Sequence, residues 1–183
     1  MAEKSVIPWH QYAAISYVAE KAKGSPYLGK TAMQKLVYLI QELAVVPIGY
    51  RFRIYNFGPY SSDLAEDLTY VEYLEGIRVD FIPGLNSYKI ELGGKSQFLM
   101  EKADEFFKQY RAGMDRIIAE FGHQKARELE LISTVIYVAR MLQAMNSYSE
   151  DGVANQVQGI KPKFSPEEIR QTIKDLQSKK YVA

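Results

Sequence analysis

The sequence predicts a mainly α-helical fold with a minor antiparallel β element. Apolar residues recur at three- and four-residue spacing over most of the 183 positions, whereas alternation of apolar and polar residues is confined to 51–55 and 77–92. A strong helix-start signal near Ser165 adds a third observation, late in the chain.

Tyr12, Ile15, Ala19 and Ala22 share one helical face, and Gly24-Ser25-Pro26 breaks that segment. A second helix is predicted from about Lys30 to Leu43, with Met33, Leu36, Val37, Ile40 and Leu43 inward and Lys35, Gln41 and Glu42 outward. Arg51-Phe52-Arg53-Ile54-Tyr55 alternates as a half-buried strand does, and Gly58-Pro59 ends it. A third helix follows over about 61–75, with Leu64, Leu68, Val71 and Leu74 inward and Asp63, Glu66 and Asp67 near its start, where the helix dipole favours acids. Ile77 to Phe81 and Ser87 to Leu92 alternate on either side of Pro83-Gly84-Leu85-Asn86, which predicts a hairpin.

From about Lys95 a single long stripe, Leu99, Ala103, Phe106, Tyr110, Met114, Ile117 and Phe121, predicts one helix ending at Gly122-His123. Leu129, Ile132, Val135, Ile136, Ala139 and Leu142 predict the next, and a short helix is expected near Val153 to Val157. The last helix starts with Ser165 as N-cap, Pro166 at its first position and Glu168 closing a capping box, with Phe164 and Ile169 placed as a hydrophobic staple. The chain divides into a helical region with the β element at 1–94 and a C-terminal helical region at 95–183, or forms one continuous domain.

Composition excludes more than it assigns. The hydrophobic share of 47 % and charged share of 25 % are those of an ordinary globular protein. The absence of cysteine removes disulfides, thiol nucleophiles and cysteine-ligated metal centres. With His10 and His123 the only histidines, no all-histidine metal site can be built, and no cofactor or metal is expected. A net charge of +1, spread evenly, provides no global attraction for nucleic acid or anionic lipid. No apolar run reaches the ~18 residues of a membrane span, and Met1-Ala2-Glu3-Lys4 lacks the pattern of a signal peptide, so a cytoplasmic address and no membrane partner are expected.

Gly24-Ser-Pro-Tyr-Leu-Gly29-Lys30-Thr31 matches a phosphate-binding loop formally. The helical period before it, Pro26, and the bulk of Tyr27 and Leu28 instead point to a helix-to-helix turn. Asp63, Glu66 and Asp67 lie on one helix flank but read as an acidic first turn, and no catalytic constellation stands out, so a non-enzyme is expected. Tyrosine is the compositional anomaly: ten of 14 fall between Tyr12 and Tyr88. In 50–60 they mix with Arg51 and Arg53, a combination common at contact surfaces. On the final helix Arg170, Gln171, Lys174 and Gln177 face outward like the reading face of a helix-turn-helix, which makes DNA binding the alternative, against a local net charge of only +1.

Gln34-Lys35-Leu36-Val37-Tyr38, followed by the aromatic strand into Phe57-Gly58-Pro59-Tyr60-Ser61, resembles the Panacea (SocA-type) antitoxin domain and the uncharacterised bacterial YwgA-type proteins. The match covers residues 30–75 and departs from the pattern at Ala32-Met33 and Phe57. The resemblance implies a helical domain with a small β element and a non-catalytic role: such antitoxins hold a toxin partner, in some systems handing it to a protease. On that reading the contact surface comprises Lys35, Tyr38, Arg51, Arg53, Tyr55, Gly58, Pro59 and Tyr60. The sequence leaves self-association open.

Overall fold

The computed structural model describes residues 7–183, so the N-terminal segment Met1 to Lys4 read above lies outside the described residues. The helical period yields α1 (Trp9–Lys21), α2 (Lys30–Leu43) and α3 (Ser62–Tyr73). Later in the chain it yields α4 (Ser96–Glu101), α5 (Asp104–Phe121), α6 (Ala126–Ala144), α7 (Glu150–Ile160) and α8 (Pro166–Ser178). Two antiparallel pairs complete the mainly-α fold: β1 (Arg53–Tyr55) with β2 (Gly58–Tyr60), and β3 (Ile77–Ile82) with β4 (Ser87–Leu92).

The helix α2 lies at the centre. It packs on α1, α3, α5, α6 and both hairpins, and residues 32–40 are all buried. A helix enclosed in this way has no solvent face. The outward placement of Lys35, Gln41 and Glu42 is therefore corrected: Lys35 is 1 % exposed, and Gln41 and Glu42 are half-buried. Full burial of Leu36, Val37, Leu39 and Ile40 stabilises the fold by about 1.5–3 kcal/mol per side chain.

Three further expectations change. The predicted single helix from Lys95 is broken, because Ala103 leaves helical geometry (φ −119°, ψ 27°). The break lets α4 pack on α1 while α5 turns onto α2. Gly58-Pro59 does not end the β element but forms its second strand, paired in the register Arg53↔Tyr60 and Tyr55↔Gly58. The short helix near Val153 extends to Glu150–Ile160, capped by the Ser149 hydroxyl, which accepts from the Gly152 amide at 3.0 Å. The start of α8 forms as read, with Ser165 Oγ accepting from the Glu168 amide (3.1 Å) and Glu168 Oε2 accepting from the Ser165 amide (2.8 Å). One continuous apolar cluster joins residues on both sides of position 94.

Candidate functional site: the braced β1–β2 hairpin

The side chains of α2 act as a template for the segment 50–61. Gln41 Nε2 donates to the Tyr50 carbonyl and Gln41 Oε1 accepts from the Tyr50 amide, both at 3.0 Å. Seven residues earlier, two turns along the helix, Gln34 makes the same pair of bonds to Ser61, both at 2.9 Å. Between them the Tyr38 ring packs edge-on to Phe52 (centroids 5.1 Å), and Lys35 Nζ donates to the Pro59 carbonyl at 2.5 Å. Three side chains of one helix thus hold the segment's main chain, at Tyr50, Pro59 and Ser61, with the Tyr38–Phe52 ring contact between them. At its far end, Ser61 caps α3 by accepting from the Leu64 amide.

The hairpin tip is tied to the opposite half of the chain. Lys161, 4 % exposed and at the end of α7, donates to the carbonyls of Tyr55 (3.3 Å) and Asn56. Its ammonium also lies 3.0 Å from Glu130 Oε1, an ion pair without hydrogen-bond alignment. Lys163 reaches the other oxygen of Glu130 at 2.7 Å. Gly58 crosses α6 so closely that a Cβ there would stand 2.8 Å from Thr134 Oγ1, and its φ of +88° already favours glycine. Burial pushes the Lys35 ammonium down to a pKa of about 8, Lys161 pushes the same way, and Glu130 opposes.

Above this bracing the surface is aromatic and cationic. Tyr55, Phe57 and Tyr60 are exposed, the Tyr55 and Tyr60 rings lie 5.6 Å apart, and Arg51 and Arg53 face solvent beside them. A pocket of about 360 Å³ opens between the hairpin and α2–α3, lined by Lys30, Lys35, Tyr55, Phe57, Tyr60 and Leu68 among others.

The eight residues that the resemblance implied as contacts therefore divide. Arg51, Arg53, Tyr55 and Tyr60 stand on the surface. Lys35, Tyr38, Gly58 and Pro59 are buried: Tyr38 and Lys35 brace the hairpin from α2, Lys35 also lining the pocket, and Gly58-Pro59 form the inward part of β2, so the placement of these four as surface contacts is corrected. Glu130 and Lys161 were missed. Their only sequence signal is charge within apolar helical pattern, which does not reveal a partner 31 residues away.

The other candidates are placed elsewhere. The Gly24–Thr31 segment connects α1 to α2 with no strand before it. Gly29 is an N-cap whose missing side chain admits the Tyr88 carbonyl of β4, and the Lys30 ammonium sits 4.1 Å over the Tyr88 ring. Of the three carboxylates, Asp63 and Glu66 are exposed. Asp67 accepts from the Tyr50 hydroxyl at 2.7 Å, and burial raises its pKa against that bond. His10 bonds the Ile48 carbonyl at 3.1 Å. Among the described residues no three His, Asp or Glu side chains converge as a metal site would require.

On α8, Arg170 pairs with Asp151 (2.8 Å), Gln171 bonds Asp175 (2.8 Å), Gln177 bonds the Ala183 carbonyl oxygen (2.8 Å), and Lys174 is exposed. Glu167 and Glu168 occupy its first turn, where a DNA-reading helix would meet phosphates. No described helix is long and apolar enough to cross a membrane. Comparison with protein-family models and with curated proteins gives no match to this chain.

Proposed function

We propose that this chain is a non-catalytic, cytoplasmic protein-interaction module, antitoxin- or adaptor-like, which holds a partner protein on the exposed face of the β1–β2 hairpin. One observation carries the reading. The hairpin is anchored from below by Gln34, Lys35, Lys161 and the Gly58–α6 contact, while Tyr55, Phe57, Tyr60, Arg51 and Arg53 are left facing out. A surface fixed before binding loses little conformational entropy on docking, and aromatic and arginine side chains supply most of the energy at such contacts. The two sequence blocks that resemble Panacea-type antitoxins meet here, since Gln34 and Lys35 hold Ser61 and Pro59 directly.

Co-purification from native lysate tests this. A specific protein should accompany the wild type and be lost from the Arg53→Ala, Tyr60→Ala double variant, with both giving the same circular dichroism. An identical retained set for the two proteins would overturn the reading. So would wild-type binding to mixed duplex DNA that weakens steeply between ~50 and ~200 mM salt and survives in that double variant.

A further inference from the structure

Resting on the interaction reading above, we propose the chemistry of the partner: an extended acidic peptide segment with a large apolar side chain in the 360 Å³ pocket and a carboxylate, about two residues away, between Arg51 and Arg53. The paired rings of Tyr55 and Tyr60 form a wall shared by two pockets. On one side lies the largely apolar pocket against Leu68. On the other lies a pocket of about 430 Å³ lined by Arg51, Arg53, Ser62 and Asp63. Residues two apart on an extended chain point to the same face about 6.8 Å apart, a span suited to straddling such a wall.

Charge selects the occupant. Among the described residues, the arginine ion pairs involve Arg78, Arg127 and Arg170; Arg51 and Arg53 are exposed and form none. Asp63 is the one carboxylate lining their pocket. Lys30, at the apolar pocket, places its ammonium over the Tyr88 ring and forms no ion pair among the described residues. Below the hairpin, the buried lysines 35 and 161 face a single buried carboxylate, Glu130, so positive charge is in excess there too. The two pocket linings together carry Lys30, Lys35, Arg51 and Arg53 against the one carboxylate of Asp63, with Glu66 exposed on the adjoining turn of α3, and this excess complements an acidic segment with an apolar anchor. Nucleic acid fits less well, because it needs a longer basic track than these few cations provide on a molecule of net charge +1.

The experiment pans a phage-displayed library of short random peptides on the intact chain, then measures a synthetic enriched peptide by fluorescence anisotropy. Enriched peptides should carry an aromatic or large aliphatic residue with Asp or Glu about two positions away. Arg51→Glu with Arg53→Glu, both exposed and so without effect on the melting curve, should weaken binding about ten- to hundred-fold. Replacing the peptide's acid with lysine should restore affinity for that charge-reversed variant. Enrichment of peptides without acids, no enrichment, or binding indifferent to the charge reversal would each overturn the proposal. The broader interaction reading would then still stand if the Arg53→Ala, Tyr60→Ala variant lost its cellular partner.

Discussion

Lys35 is the residue in which support and chemistry meet. Its ammonium is buried, bonded to the Pro59 carbonyl, and held at a pKa of about 8 chiefly by desolvation. A base whose folded pKa lies below its unfolded value of 10.5 carries its full charge penalty below about pH 8. The penalty is relieved as pH rises toward the unfolded value, because the unfolded chain binds the proton more tightly. Wild type should therefore gain stability relative to Lys35→Met by about 1–2 kcal/mol between pH 7 and 9.5. Urea unfolding at the two pH values measures this, and parallel behaviour of the two proteins would refute it. Gly58 is a second such residue. Gly58→Ala should cost about 2–3 kcal/mol through a clash with Thr134 and an unfavourable positive φ. Adding Thr134→Ala should recover only the clash, so denaturant melts of the double variant should lie between those of wild type and the single variant.

At the scale of elements, α2 organises the molecule because it carries two glutamines two turns apart on the face that meets 50–61. Each glutamine takes over the hydrogen bonding of one residue's amide and carbonyl, in place of a neighbouring strand. Gln34→Ala should cost about 2–3 kcal/mol, since it strands both groups of buried Ser61. The Ser61 amide should then exchange hydrogen faster than amides in α1, as read by mass spectrometry or NMR; unchanged protection would refute the template role. The cap of α8 is more local. Ser165→Ala should lower stability by about 1 kcal/mol and leave partner binding intact, because α8 packs on α6 and α7 and its cap contributes no residue to either hairpin pocket.

At the scale of the whole molecule, buried tyrosines set the alkaline limit. Burial raises the pKa values of Tyr17, Tyr38 and Tyr50; Asp115 adds to this at Tyr17 and Asp67 at Tyr50 through hydrogen bonds at 2.5 and 2.7 Å. A phenol whose folded pKa is raised contributes stability that is complete below the unfolded value of 10.0 and lost above it. Combined with Lys35, this places the alkaline turning point near pH 10: melting temperature should rise from pH 8 toward it and fall beyond. Tyr50→Phe should soften the fall. A melting temperature that falls steadily from pH 8 would contradict the Lys35 assignment, and a fall beyond pH 10 unchanged in Tyr50→Phe would contradict that of Tyr50.

Most helical segments, the β3–β4 hairpin and the cap of α8 were legible along the chain, because these rest on periodicity and on bonds between near neighbours. So was the clustering of Arg51, Arg53, Tyr55 and Tyr60, since they lie within ten positions. Which of the candidate contacts face solvent and which are buried emerges from the packing alone. Period assigns a helix an inside and an outside, but α2 is enclosed all round, so Lys35 is buried where its spacing faced it outward. The three-residue strand β2 contains a proline, too little pattern to read. Lys161 bonds Tyr55 across 106 positions, and the break at Ala103 redirects α5 onto α2. Such contacts depend on where the packed helices bring distant charges and carbonyls together, and local spacing along the chain does not encode that.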